Sequence, residues 1–313
     1  MRLAHFAPRA ALALGLAMAS AAPAAAQPIT FKDLLGRERP GTDIRIPYGT
    51  LPDQFGELWL PDGPGPHPTV VMVHGGCWLA SLPGVELMAY ISEDLRRRGI
   101  AVWNVEYRRL GTPGAGYPGT FLDVAAVDHL REVAKSHPLD LSRLVGVGHS
   151  AGGHLALWAG ARPVIGTESP LHTPDPLKLK GVLTLAGIND LEAYRAEGPD
   201  ACGGPDTCGG PDTIDGLTGA KERPGTDLFA DTSPAAMTPL QIDQIIVSGE
   251  LDHIVPPAFG RNYRDKAEAA GEMVTVLEYP GAGHFELIDP TSAAWADISR
   301  QITALLEGEA GRP

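Results

Sequence analysis

Six short apolar runs constrain the fold more than any other feature of the chain. They are TVVMVHGG (69–76), AVWNVEYR (101–108), RLVGVGHS (143–150), KGVLTLAG (180–187), QIIVSGE (244–250) and MVTVLEYP (273–280). Their cores are continuous Val, Ile and Leu rather than an in–out alternation. Strands of that kind are buried on both faces, as in a parallel sheet covered by helices. Between them lie helix candidates at 84–98, 120–136, 151–162, 257–271 and 291–308. In the second of these Phe121, Val124, Val127, Leu130 and Ala134 recur three or four apart, which is helical spacing. Strand and helix in alternation predict an α/β chain with a doubly wound sheet. Two earlier segments, DIRIPY and GELWLP, have the length and punctuation of an antiparallel entry hairpin.

One segment departs from this pattern. Residues 188–240 are rich in Gly, Pro, Asp and Thr, lack a sustained period, and carry CGGPDT twice in succession at 202–207 and 208–213. Loops of this length in a compact domain are usually functional. We therefore expect a single domain over 27–313, with a long loop or lid insertion at about 188–240.

The first 26 residues are set apart. Arg2 and Arg9 precede and flank an apolar run, and Ala24-Ala25-Ala26 supply the small residues of a cleavage site. This reads as a signal peptide cut after Ala26, and the run is too short and interrupted to span a bilayer. The expected location is secreted or periplasmic, with no membrane attachment after cleavage. Loss of the leader removes two arginines and no acids, so the formal charge of −13 becomes −15, from 23 basic and 38 acidic residues. That sign argues against nucleic acid or anionic membrane partners, which select clustered Lys and Arg. The densest basic run, Arg96-Arg97-Arg98, suits the C-terminal end of a surface helix. Export also permits disulfides among the three cysteines: Cys77 with Cys202 or Cys208, or Cys202 with Cys208.

The chemistry centres on GHSAGG, 148–153. It fits G-x-S-x-G and joins an apolar strand to a helix candidate. In such a turn Gly148 and Gly152 remove side chains that would collide, and Ser150 is presented at the strand's C-terminal edge. A serine needs a base, and the base needs an orienting group. Strand ends downstream offer Asp252 in SGELDHIVPP and His284 in PGAGHFEL. The order Ser150, Asp252, His284 is that of a hydrolase triad. His149 and His253 each adjoin a triad member and, on a strand, would point the opposite way. Glu250 and Asp190 are alternative orienters. An oxyanion requires aimed N–H donors: Ala151 after the nucleophile, and the glycine loop of HGGCW, through Gly75, Gly76 and Cys77. His74 is read as a brace for that loop, and Trp78 as either a substrate-pocket wall or packing. No H-E-x-x-H or clustered Cys/His spacing appears, so no metal is assigned.

HGGCW, GHSAGG, SGELDHIVP and PGAGHFEL in this order resemble the α/β-hydrolase superfamily of esterases and lipases. The chain is particularly similar to the kynurenine formamidase (arylformamidase) and feruloyl/acetyl-xylan esterase-like branch. The likeness spans about 69–289. It implies an eight-stranded, mainly parallel sheet with helices on both faces, and a serine hydrolase that uses no cofactor. It carries over Ser150, Asp252 and His284 as the triad and the Gly75–Cys77 loop as the oxyanion hole. The expected substrates are small-molecule short-chain carboxylic esters cleaved through an acyl-enzyme, with N-formylkynurenine or a similar aryl formamide as the alternative. A non-catalytic binding module on the same fold is the reading from another class.

Overall fold

A computed structural model describes residues 27–42, 44–197 and 210–309. The expected leader and both Cys202 and Cys208 lie outside the described residues.

The apolar runs form the sheet. Strands β1 (Arg45–Pro47), β2 (Phe55–Trp59), β3 (His67–Val73), β4 (Ala101–Val105), β5 (Leu139–His149), β6 (Gly181–Leu185), β7 (Asp243–Gly249) and β8 (Val274–Tyr279) make one sheet in the order β1-β2-β4-β3-β5-β6-β7-β8. The entry hairpin is antiparallel, and β2 pairs antiparallel with β4. Every later pairing is parallel. The central strands β4 and β6 are buried at every residue, which is why their sequences do not alternate.

Helices cover both faces. Successive residues of β6 point to opposite sides of the sheet. A Cβ on Gly181 would meet Leu305, on helix Trp295–Glu307, whereas Gly160, on helix Ala151–Ala161, faces Val182. The two helices therefore sandwich the sheet. Every residue of Ala151–Ala161 is buried, because it also lies beneath the loops at the strand ends. Helix Ala89–Arg97 buries Tyr90, Ile91 and Leu95, and its basic end is paired within the helix. Arg96 and Arg97 bond Glu93, and Arg98 bonds Asp94.

Two sequence expectations change in detail. The predicted helix 120–136 is three pieces, Gly119–Val124, a 3-10 segment Ala125–His129 and Leu130–Val133. The aperiodic 188–240 stretch contains the short helices Leu191–Glu197, Pro211–Thr218 and Pro234–Met237. A further short helix, Phe31–Leu35, starts at a capping box in which Thr30 and Asp33 satisfy each other's backbone amides.

At Ser150 the chain passes from β5 into helix Ala151–Ala161 with no intervening loop. That join is possible only where backbones touch. A Cβ on Gly148 would lie 2.1 Å from the Gly152 carbonyl oxygen, and one on Gly152 would lie 2.2 Å from that of Val73. Gly153 rests on Gly187, whose Cα would be 2.6 Å from an added Cβ. Gly148→Ala is accordingly expected to destabilise the protein by about 1–3 kcal/mol, the usual cost of overpacking. Urea unfolding measures it, and an unchanged midpoint would contradict this packing.

Candidate active site

Ser150 has φ 55° and ψ −122°, left-handed backbone that a non-glycine residue rarely adopts. Hydrogen bonds from both sides hold it there. Its amide donates to Leu185 O (2.8 Å), and its carbonyl accepts from the amides of Gly153 (2.9 Å) and His154 (3.2 Å). The residue is buried apart from its place on a cavity of about 210 Å³. His284, Gly76 and Cys77 line the same cavity. A larger surface recess of about 560 Å³, among Glu38, Arg39, Glu93 and Arg97, shares no residue with it and holds no candidate nucleophile.

His284 stands in the loop after β8, and its Nδ1 lies 2.6 Å from Asp252 Oδ2. The other Asp252 oxygen accepts from the amides of Ile254 (2.8 Å) and Val255 (2.9 Å). With the carboxylate side chain wholly buried and both oxygens engaged, Nδ1 carries the proton and Nε2 is left as the basic nitrogen. The rivals are occupied elsewhere. Glu250 is exposed and accepts from the Gly281 amide, Asp190 pairs with Lys266, and His253 is exposed.

His149 departs from the expectation that it points away. It lines the cavity, its Nε2 is 3.1 Å from the His284 carbonyl oxygen, and the two rings are 4.4 Å apart. The in–out alternation of a strand fails here because the left-handed turn at Ser150 redirects the chain. Burial, and secondarily the charge of His284, push the His149 pKa well below its ordinary value, so its ring is neutral.

The HGGCW loop lies directly over the serine. A Cβ on Gly75 would be 2.9 Å from His149 Nδ1 and 3.1 Å from Ser150 Cβ. Gly76, Cys77 and Trp78 follow with φ of 99°, 50° and 57°, three left-handed residues in succession. The chain after β4 clamps this strained loop: Leu110 N donates to Trp78 O (2.7 Å) and Ala80 N to Leu110 O (2.9 Å). His74 braces it from below, with Nε2 2.9 Å from Glu106 Oε1 and its ring stacked on Tyr107 at 4.4 Å. Burial would raise the Glu106 pKa. The charge and hydrogen bond of His74, with Arg109 and the Tyr107 amide, outweigh burial and hold it at about 2. The backbone amides of Gly76 and Ala151 donate to no acceptor among the described residues. Cys77 is disulfide-bonded, while the proposed partners Cys202 and Cys208 lie outside the described residues.

Trp78 is corrected from a possible pocket wall to packing. It is fully buried, is absent from the cavity lining, and its indole N–H donates to His154 Nδ1 (3.2 Å). The described part of the 188–240 segment also contributes nothing to the cavity lining. Its role is one shell out, since Thr232 O accepts from His154 Nε2 at 2.7 Å. Sequence reading missed the apolar walls Phe31, Leu82, Leu87, Ile254 and Phe285. Ile254 and Phe285 lie within SGELDHIVPP and PGAGHFEL, where only Asp252 and His284 drew attention, and the other three sit in no motif. Among the described residues, no group of three His, Cys, Asp or Glu side chains could hold a metal ion.

Residues 57–266 match the model of the BD-FAE family. No curated protein matches the chain significantly. Solved structures share the fold over most of its length. A truncated carbohydrate esterase from gut microbiota is 21% identical, with a TM-score of 0.66 over 86% of this chain and 100% of that one. Esterase B from Lactobacillus rhamnosis is 20% identical, with a TM-score of 0.69 over 89% and 91%. Thermogutta terrifontis esterase 2, phosphorylated by paraoxon, is 18% identical, with a TM-score of 0.64 over 89% and 98%. The fold is that of the α/β-hydrolase esterases.

His154 generates a test of the packing behind the site. Its Nδ1 must accept from Trp78, so the ring is neutral, and burial lowers its pKa from 6.5 to about 4 despite the opposing Thr232 hydrogen bond. Above pH 6.5 neither folded nor unfolded chain is protonated at this site. As pH falls from 6.5 to about 4 only the unfolded chain gains the proton, so stability is lost across that window, by about 3 kcal/mol for this residue. His154→Gln is expected to be less stable at pH 7 and to lose correspondingly less on acidification. Denaturant unfolding at a series of pH values reads both.

Proposed function

Because the chain belongs to the BD-FAE family of serine esterases, we propose that it cleaves short-chain carboxylic esters through an acyl-enzyme on Ser150. The observation that carries this reading is the left-handed Ser150 sharing one cavity with a His284 whose Nδ1 is held by buried Asp252. His284 Nε2 takes the proton from Ser150 Oγ as the oxygen attacks the ester carbonyl. Asp252 keeps the ring in the required tautomer and stabilises the imidazolium that forms. The oxyanion is received by amides of the Gly75–Cys77 loop and of Ala151, which cost no reorganisation during reaction because the clamped loop is already in place. Collapse expels the alcohol, protonated by His284. Water, deprotonated by the same nitrogen, then releases the acid and regenerates the serine.

A small apolar cavity supports a short acyl group. An aryl formamide such as N-formylkynurenine is the second reading. It is favoured by the edge-to-face pair Phe31–Phe285 (6.1 Å, 62°), which offers aromatic surface to a ring while formyl is the smallest acyl group.

Ser150→Ala is expected to lower kcat on p-nitrophenyl acetate by roughly 10⁶ and to abolish labelling by a fluorophosphonate probe. Near-normal turnover in a folded variant would overturn the assignment. Comparing kcat/KM for acyl esters, a feruloyl ester and N-formylkynurenine separates the substrate classes. The leader at 1–26 supports export. We expect the protein recovered from outside the cytoplasm to begin at Gln27 by intact mass, and an unprocessed cytoplasmic chain would refute export.

A further inference from the structure

We propose that Thr30 and Phe31, near the start of the described chain, form the wall of the Ser150 cavity that limits the size of the ester's apolar group. The inference rests on the esterase reading above. Both residues line the cavity, together with Leu82, Leu87 and Ile254. Neither lies within the residues matched by the family model, 57–266. The part of the chain outside that model thus contributes directly to the substrate's surroundings.

Three contacts fasten this segment to the loop that bears His284. The Ile29 amide donates to Glu286 Oε1 (2.6 Å), and the other oxygen of that carboxylate accepts from the Gly283 amide (3.0 Å). Pro28 lies against Gly283, where an added Cβ would be 2.5 Å from Pro28 Cβ. Arg37 forms a bidentate pair with Asp289 (2.7 and 2.8 Å). Between these anchors the Thr30–Asp33 capping box starts the helix that presents Phe31 edge-on to Phe285. Phe31 is therefore positioned, rather than merely nearby. It remains partly exposed, so trimming it opens the cavity outward without emptying the core.

An apolar wall discriminates by length. Each methylene that fits is worth about fourfold in kcat/KM, and one that collides forfeits it. The apolar group is either the acyl chain or the alcohol, and two substrate series distinguish them. One runs from p-nitrophenyl acetate through butyrate and hexanoate to octanoate. The other runs through methyl, butyl and hexyl acetates. In one of the series Phe31→Ala is expected to raise the long-to-short ratio of kcat/KM by at least about tenfold. Phe31→Trp should lower the same ratio, and Arg37→Ala, which loosens the anchor, should shift it in the direction of Phe31→Ala. Ratios unchanged within about twofold in both series for all three variants, or a uniform loss across substrates, would overturn the proposal. Wild-type turnover of p-nitrophenyl acetate with labelling at Ser150 is the separate check. If that fails, the esterase reading fails, whereas if it holds and the ratios stay flat, only the wall assignment falls.

Discussion

The site depends on backbone packed against backbone at the end of β5. Gly148, Gly152 and Gly153 let the strand, the following helix, the end of β3 and Gly187 approach to distances that no side chain permits. That closeness allows Ser150 to turn left-handed, with its amide on β6 and its carbonyl on the helix. The strain of the turn is borne by the sheet's own hydrogen bonds. Loosening any of the three contacts would let the serine relax toward ordinary helix or strand geometry and carry its hydroxyl off the cavity.

A second strained element faces the first. Three consecutive left-handed residues, Gly76 to Trp78, are held by the chain beyond β4 and by two histidines that bond on the far side of the loop. His74 ties its start to Glu106 and Tyr107, and His154 ties Trp78 to Thr232. Buried polar networks of this kind have value only when their members are paired, and here each ring nitrogen of both histidines has a partner. The irregular segment around Thr232 thus supports the Gly75–Trp78 loop from behind without reaching the cavity.

Much of this was legible in the chain itself. Continuous apolar runs identified the parallel strands, and small residues on both sides of Ser150 identified the turn, because both are demands of local geometry. The order Ser150, Asp252, His284 followed from where polar residues end strands; in the structure His284 bonds Asp252 and lines the same cavity as Ser150. His149 was misjudged because strand alternation was carried one residue too far, into a turn that reverses it. Trp78 was ambiguous for a different reason: a tryptophan beside a glycine loop serves equally as wall or as packing until its hydrogen-bond partner is known.

The sequence by itself determined the order of strands and helices, the residue types at the sheet's edge and the net negative charge. Each of these is set by neighbours along the chain. Only the tertiary structure decided what surrounds the serine. Phe31 meets Phe285, and Ile29 meets Glu286 across 257 positions of chain. Such contacts leave no periodicity or motif behind, since their energy arises from surfaces that the fold alone brings into register.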